Sequence, residues 1–245
     1  MRQRGSHRAG TFSAIKAAGV RLIYEHGYEA MTLRMLARNV GLESGSLYYH
    51  IKDKQDFLFR LLKEIIEGNL AMMDEKLRGI EDPEDRMSAF ISFFITNQWE
   101  KKQESFIVSS EVRSLNAENY QAITALSRAY RDRVEEIIRK GVAGGKFRVT
   151  NVSVAAIAIC DILGGPARWY YPKELLALDE IMEMITDMIF QLLGASQPTE
   201  KPAKALERAE PAAARPKAES PARPGAATQP MAATAPFPAA RLWVR

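Results

Sequence analysis

Residues 32–54 read TLRMLARNVGLESGSLYYHIKDK, and this stretch decides the fold of the N-terminal part of the chain. Thr32 is a residue type that caps a helix, and Gly41 suits the point where the chain leaves that helix with a positive φ. Ser44 begins a second short helix, which we expect to reach Ile51. Two short helices joined by a tight turn form a helix-turn-helix. Their apolar faces are expected to be Leu33, Leu36, Val40, Leu42 and Leu47, with a small Ala37 that permits close crossing.

The second helix of this pair carries a polar and aromatic outer face, made of Ser44, Gly45, Ser46, Tyr48, Tyr49 and His50. Such a mixture suits a DNA major groove, where hydroxyls reach bases or phosphates and ring edges meet thymine methyl groups. We expect Leu47 and Ile51, in contrast, to lie in the core. This face therefore indicates a DNA reader.

Outward from this motif the pattern is helical, and no alternation typical of strands appears. Thr11 suits the cap of a preceding helix that ends at Gly27. Asp53 suits the cap of a long following helix, with Asp56 completing a capping box in which Asp replaces the usual Glu. The remaining helices are expected at Asp53–Arg78, Asp85–Lys101, Glu104–Leu115, Asn116–Gly141, Asn151–Gly164 and, with Asp179 as its cap, Asp179–Leu193. The sequence thus predicts an all-α fold.

Charge is unevenly distributed along the 245 residues. Residues 1–60 carry ten Lys/Arg against five Asp/Glu, whereas residues 61–194 carry 16 against 21. A local basic excess is the electrostatic signature of phosphate binding, although charge alone also fits a solvated surface. Residues 195–245 hold nine of the 12 prolines and many alanines, so we expect a disordered tail.

Other features bear on location. The apolar run Val154–Cys160 is far shorter than the roughly 18 residues of a spanning helix. No apolar stretch follows the basic N-terminus, so we expect no signal peptide. The single cysteine, Cys160, forms no internal disulfide, which suits a reducing cytosol. These observations predict a cytoplasmic protein.

The segments Thr32–Ala37 and Gly41–Lys54 resemble the TetR/AcrR family of transcriptional regulators, above all in the string Leu-Tyr-Tyr-His-aliphatic-x-x-Lys that ends at Lys54. The resemblance covers roughly residues 8–68 by motif and extends to 194 by length and helix count. It implies an N-terminal three-helix DNA-binding domain over residues 8–68, a helical ligand-binding and dimerisation domain over 69–194, and a tail over 195–245. It also implies a ligand-released repressor that binds a palindromic operator as a homodimer.

The resemblance assigns roles by position on the DNA. Thr32 is expected to hold a phosphate, and Arg34 to reach a base or a phosphate. The expected contacts to base edges are Ser44, Gly45 and Ser46, and those to phosphate or thymine are Tyr48, Tyr49, His50 and Lys54. For Tyr48 the alternative is that its ring packs inside the domain.

In the family, the last two helices of the second domain form the dimer. The last helix of this chain carries two apolar stripes. One contains Leu178, Ile181, Ile185, Met188 and Leu192, and the other contains Met182, Ile189 and Leu193. One stripe can face the protein's own core and the other a partner. The preceding helix is rich in small residues, which permit close approach between helices, although an ordinary buried core gives the same pattern.

For the effector, the cluster Arg168-Trp169-Tyr170-Tyr171-Pro172 places a cation beside aromatic rings after a helix break. Family members with a similar Trp-Tyr-x-Pro string resemble sensors of acyl-coenzyme A thioesters. We therefore expect a thioester, or a related lipid- or steroid-derived molecule, at Phe94, Trp99, Tyr130, Arg168, Trp169 and Tyr170. The competing interpretation makes Arg168 a surface cation and the aromatic residues core.

Enzyme motifs do not appear in the sequence. The three histidines all lie in the N-terminal 50 residues, and none has metal-ligand spacing with Cys160. No phosphate-binding glycine loop or nucleophile elbow occurs, so we expect neither catalysis, nor a cofactor, nor a metal. A remaining alternative is a constitutive DNA-binding protein whose C-terminal half is purely structural.

Overall fold

The computed structural model describes residues 3–165 and 177–195, with side chains from Thr11 onward, and every regular element in those residues is a helix. The all-α prediction is therefore confirmed. The helices are α1 (Gln3–His26), α2 (Leu33–Asn39), α3 (Ser44–Leu47), α4 (Lys54–Lys76), α5 (Pro83–Glu100), α6 (Lys102–Glu111), α7 (Ala117–Ala143), α8 (Val152–Gly164) and α9 (Leu178–Leu192). A 3-10 turn, Val112–Ser114, follows α6 and leads toward α7.

Five helices begin at a polar side chain whose oxygen accepts a backbone N–H from three residues further on. The donor–acceptor distances are 3.2 Å at Thr32, 2.8 Å at Asp53, 3.3 Å at Asp82, 2.9 Å at Asn116 and 3.0 Å at Asn151. Each cap satisfies a backbone donor that the helix itself leaves without a partner, which is worth about 1 kcal/mol. Thr32 and Asp53 were predicted as caps from the sequence, and both caps are present.

Several expected helix bounds are wrong, and α5 and α6 each begin two residues before the expected Asp85 and Glu104. Thr11 lies inside α1, because no proline interrupts the chain between Gln3 and Thr11. The helix α3 ends at Leu47 instead of Ile51, since the N–H groups of Tyr49 and His50 bond carbonyls only three residues back. Asp179 is not a cap; Ala177 occupies that position, and its N–H donates to Glu180 Oε2 at 2.8 Å.

The expected capping box at α4 also differs in detail. Asp56 Oδ2 accepts the N–H of Lys52 at 2.9 Å, one residue before the Asp53 cap. The two carboxylates still satisfy two backbone donors at the turn that leads into α4. This turn therefore joins the helix-turn-helix to α4 through hydrogen bonds as well as through the chain itself.

One cluster of buried side chains extends through all nine described helices. In α4, the Phe57 ring lies against Gly19 of α1, and other parts of α4 pack on α5, α6 and α7. At the crossing of α1 and α4 a Cβ on Gly19 would lie 2.1 Å from Phe57 Cζ. Any larger residue at position 19 would therefore require the Phe57 ring to shift.

Cys160 lies fully inside α8, and burial raises the pKa of its thiol to about 12. Among the helices that the structure describes, none is long and apolar enough to span a bilayer. The Pro/Ala-rich tail beyond Ala195 lies outside the described residues, as does the segment 166–176.

Candidate DNA-binding surface and effector region

The helix α3 is held by apolar side chains that the sequence predicted as core. Leu36, Ala37 and Leu47 are fully buried, and Ile51 is nearly so. Gly41 has a φ of 70°, and the N–H of Leu42 donates to the Ala37 carbonyl at 2.9 Å, which closes the turn between α2 and α3. The geometry is that of a helix-turn-helix whose second helix presents one face outward.

That outward face carries the hydroxyls and rings singled out in the sequence. Ser44 and Gly45 are exposed, whereas Ser46 and His50 are half-buried. Tyr48 and Tyr49 are 59% and 77% exposed. The exposure of Tyr48 does not fit the alternative in which its ring packs inside the domain. Large exposed aromatic residues beside small polar ones form a surface able to enter a groove.

Thr32 and Arg34 lie beside this face at the start of α2. Thr32 Oγ1 accepts the N–H of Met35, which leaves the hydroxyl hydrogen able to donate to a phosphate oxygen. Arg34 is exposed in the first turn of α2. Both residues are exposed, and the DNA contacts expected of them stay predictions.

Lys54 has partners within the protein. Its Nζ donates to the Glu29 carbonyl at 2.9 Å and lies 4.3 Å from the ring centroid of Tyr28. Burial, followed by the carboxylates of Glu29 and Asp53, raises the pKa of the Tyr28 hydroxyl to about 12. The sequence placed Lys54 against DNA but gave no sign of Tyr28 as its partner. Lys54 thus anchors the start of α4 to the turn between α1 and α2.

A cleft of about 630 Å³ opens beside the exposed face that carries Tyr49 and His50. Its lining is Phe12, Ser13, Lys16, Tyr49, His50, Arg60 and Glu64. The guanidinium of Arg60 lies 3.9 Å from the Phe12 ring centroid and donates to the His50 carbonyl. Arg60, on α4, therefore connects the turn that follows α3 to α1. Sequence reasoning missed this role, because the i,i+4 spacing of Asp56 and Arg60 indicates only the ion pair between those two residues.

In the second half, the structure brings together two of the predicted effector residues. The rings of Phe94 and Tyr130 lie edge to face, with centroids 5.7 Å apart, and burial raises the pKa of the Tyr130 hydroxyl. Trp99 is 44% exposed near the end of α5. The other three, Arg168, Trp169 and Tyr170, lie outside the described residues.

Several buried polar atoms near these helices have no hydrogen-bond partner among the described residues. They include Gln98 Oε1 on α5, Ser110 Oγ on α6 and Thr124 Oγ1 on α7. The Gln98 amide nitrogen donates to the Leu163 carbonyl at the end of α8, at 3.0 Å. Buried polar atoms usually have partners, so these three atoms are exceptions among the described residues. Sequence reasoning named only aromatic residues here.

The helix α9 presents an apolar stripe to solvent. Met184 and Met188 are each more than half exposed, and Leu192 continues the stripe at the same spacing of four residues. Ile181, Met182, Ile185 and Ile189 are buried. The predicted division into two stripes therefore holds only in part, because Ile181 and Ile185 face the core and Met184 was missed.

Two family models match the chain. The bacterial regulatory proteins of the tetR family match residues 15–61, and the tetracyclin repressor-like C-terminal domain matches residues 81–193. The HTH-type transcriptional repressor KstR2 of Rhodococcus jostii is 26% identical over 196 residues, which cover 78% of this chain and 94% of that protein.

Solved structures share the fold. A bacterial regulatory protein of the tetR family from Rhodococcus RHA1 superposes with a TM-score of 0.71 at 22% identity and covers 76% of this chain and 98% of its own. FadR from Bacillus subtilis, solved in complex with stearoyl-CoA, has a TM-score of 0.66 at 20% identity, covering 74% and 98%.

Proposed function

The chain belongs to the tetR family of bacterial regulatory proteins, and we propose that it is a repressor which a small-molecule effector releases from a palindromic operator. The observation that carries this proposal is the exposed pair Tyr48–Tyr49, which stands beside the hydroxyls of α3 on a rigidly packed helix-turn-helix. A protein that only needed a stable N-terminal half would bury these rings or replace them with charged residues.

In the proposed complex, α3 enters the major groove. Its Ser44, Gly45 and Ser46 approach base edges, while Tyr48 and Tyr49 meet phosphate and thymine. Thr32 and His50 hold phosphates, and Arg34 reaches a base or a phosphate. Lys54, already bound to the Glu29 carbonyl, contributes its charge at the start of α4 more than a direct contact.

The protein acts as a homodimer in this proposal. One recognition helix reads too few bases for a specific site, whereas a two-fold dimer reads two half-sites. The stripe of Met184, Met188 and Leu192 on α9, together with the exposed Val154 on α8, supplies an apolar surface for a second copy. The doubled helices α8 and α9 would form a four-helix interface.

The effector in this proposal is an acyl-coenzyme A thioester or a related lipid- or steroid-derived molecule. FadR, which shares the fold, was solved with stearoyl-CoA, and KstR2, which this chain resembles in sequence, is named a repressor. In this chain, Phe94 and Tyr130 form an aromatic wall, and Gln98 and Thr124 bring buried polar atoms without described partners to the same helices. Arg168, Trp169 and Tyr170 would receive the anionic head group, and Trp99 would lie at the entrance.

The test begins with the wild-type homodimer. In-vitro selection from random DNA should return a palindrome, and fluorescence anisotropy on that DNA should then be followed during titration with stearoyl-CoA and isovaleryl-CoA. Release by a thioester, but not by free coenzyme A, is expected, because the acyl chain carries the apolar binding energy. If no thioester changes the anisotropy, the proposed effector class is wrong.

Arg168→Ala provides the residue-level test, with Lys173→Ala as a matched control that removes another cation from the same stretch. The Arg168 variant should bind operator normally yet need about ten times more thioester for release, since a charge-assisted hydrogen bond is lost. Lys173→Ala should respond as wild type does. An Arg168 variant that responds normally would remove that residue from the effector site.

We extend the proposal to domain organisation and location. Residues 8–68 form the DNA-binding domain, residues 69–194 bind the effector and dimerise, and residues 195–245 form a tail not needed for either role. Neither catalysis nor a cofactor is part of this function, and operator binding places the protein in the cytoplasm. The described residues contain no cluster of potential metal ligands.

A further inference from the structure

The side chain of Gln55, in the first turn of α4, makes hydrogen bonds to other segments through both the nitrogen and the oxygen of its amide. Its Nε2 donates to the Tyr28 hydroxyl at 3.1 Å and to the Ser114 carbonyl at 2.6 Å. Its Oε1 accepts the N–H of Asn116 at 2.9 Å. Asn116 is the cap of α7, so a single amide joins three segments that are distant in sequence.

These segments belong to opposite halves of the protein. Tyr28 lies in the turn between α1 and α2, whereas Ser114 and Asn116 form the connection between α6 and α7. Gln55 follows Tyr48 by seven positions, so the chain leads from α3 directly into the first turn of α4, which carries Gln55. The amide therefore stands where the DNA-reading half meets the effector half.

A second polar contact crosses the same boundary. The N–H of Tyr28 lies 3.5 Å from Glu111 Oε1, at the end of α6. Ser114 Oγ donates to Glu111 Oε2 at 3.0 Å, which holds that carboxylate in place. The contact at Tyr28 is long for a hydrogen bond, so it supports the amide of Gln55 and does not replace it.

The remaining contacts across this boundary include an aromatic contact and an ion pair, and both tolerate small shifts of one half against the other. Tyr24 on α1 packs edge to face on Phe106 of α6, with centroids 5.4 Å apart, and Lys16 Nζ lies 3.9 Å from a carboxylate oxygen of Glu104. Apolar burial has no preferred direction, whereas hydrogen bonds weaken steeply when their geometry changes. Among the contacts named here, the directional hydrogen bonds that relate the two halves are therefore those at Gln55 and at Glu111.

We propose that Gln55 is a positioning residue for operator binding: its amide sets the orientation of the helix-turn-helix relative to the α6–α7 connection, and so the separation of the two recognition helices in the dimer. This inference rests on the proposed repressor function. Loss of the amide leaves each helix-turn-helix intact but lets its orientation vary. Binding to two half-sites at a fixed spacing then weakens, while binding to one half-site does not.

The experiment uses the full-length protein and the palindrome selected with the wild type. Affinities are measured by fluorescence anisotropy for that palindrome, for a version with one base pair inserted between the half-sites, and for a single half-site. Gln55→Ala should bind the palindrome about tenfold more weakly and show a smaller penalty for the inserted base pair, with half-site affinity unchanged. Gln121→Ala, at an exposed glutamine of α7, is the matched control and should behave as wild type does.

A second variant separates positioning from simple stabilisation. Gln55→Glu keeps the acceptor for the Asn116 N–H but sets a carboxylate, which cannot donate, against the Ser114 carbonyl. At pH 8, where a carboxyl with a pKa near the usual value of about 4.3 is ionised, its spacing preference should be weaker than that of wild type. A role in stability alone would lower the melting temperature and leave the spacing preference of either variant unchanged, and that result overturns the proposal.

The two proposals fail in different ways. If the wild-type protein selects no palindrome, the repressor function is wrong, and the role of Gln55 falls with it. If the wild type shows a clear spacing preference and both Gln55 variants retain it, only the positioning role is wrong.

Discussion

Replacing Tyr49 with alanine tests the exposed face of the helix-turn-helix most directly, because the change should weaken DNA binding and leave the stability of the fold almost unchanged. Tyr49 is 77% exposed, so removal of its side chain should change the free energy of unfolding by no more than about 0.5 kcal/mol. A lost base contact costs about 1–3 kcal/mol, and a dimer loses it twice. Operator binding should therefore weaken by about 2–6 kcal/mol, or about 30-fold at least.

Fluorescence anisotropy with the selected operator measures the binding change, and thermal unfolding measures the stability change. Tyr49→Phe separates the hydroxyl from the ring: a partial loss assigns the remainder to contact with a thymine methyl group. Leu47→Ala is the opposite control, because that side chain is fully buried and its truncation should cost about 2–5 kcal/mol of unfolding free energy. If Tyr49→Ala binds the operator with unchanged affinity, α3 does not read DNA through this ring.

Four further outcomes are expected. Met188→Glu, with the buried-face variant Met182→Leu as control, should shift the dimer toward monomer in sedimentation experiments, because it places charge in the proposed interface; an unchanged dimer would move that interface elsewhere. Gly19→Val should lower the melting temperature sharply, since its Cβ would lie 2.1 Å from Phe57 Cζ, and an unchanged melting temperature would contradict the close crossing. The hydrogen bond from Arg133 holds the pKa of Asp74 below its usual value, so this contribution to stability is complete above about pH 4 and is lost as the pH falls further. The melting temperature of Asp74→Asn should therefore fall less steeply below about pH 4 than that of wild type. Identical dependence of the two melting temperatures on pH would refute the assignment. Truncation after Ala195 should leave both melting temperature and operator affinity unchanged, and a large loss in either would show that the tail packs on the body or on DNA.

The sequence allowed much of the fold to be predicted, because its signals were local. Thr32, Asp53, Asn116 and Asn151 are caps whose hydrogen bonds span three residues, and such bonds can be read from spacing alone. The early end of α3 could not be read in this way, since it depends on hydrogen bonds that shorten to three residues at Tyr49 and His50. Asp179 was a plausible cap, but Ala177 occupies the cap position, and its N–H donates to the side chain of Glu180.

The candidate site was predictable to the extent that it lies on one motif. The face of α3 follows from residue order, but the partners of Lys54 and Arg60 come from segments brought together only by folding. The same holds for Gln55, whose three partners lie 27 to 61 residues away in sequence. Periodicity assigns a side chain to a face, whereas contacts between distant segments depend on how helices cross.

The burial of Cys160 makes the native chain suitable for site-specific labelling. Burial raises the pKa of this thiol to about 12, so little of the reactive thiolate forms at pH 7, and the side chain of Cys160 is buried. Because Cys160 is the single cysteine of the sequence, a cysteine introduced at an exposed position would react almost alone with a maleimide or a spin label. Labels at Glu67 on α4, which is exposed, would then report the distance between the two protomers by electron paramagnetic resonance, in the presence and absence of operator, without prior removal of the native thiol.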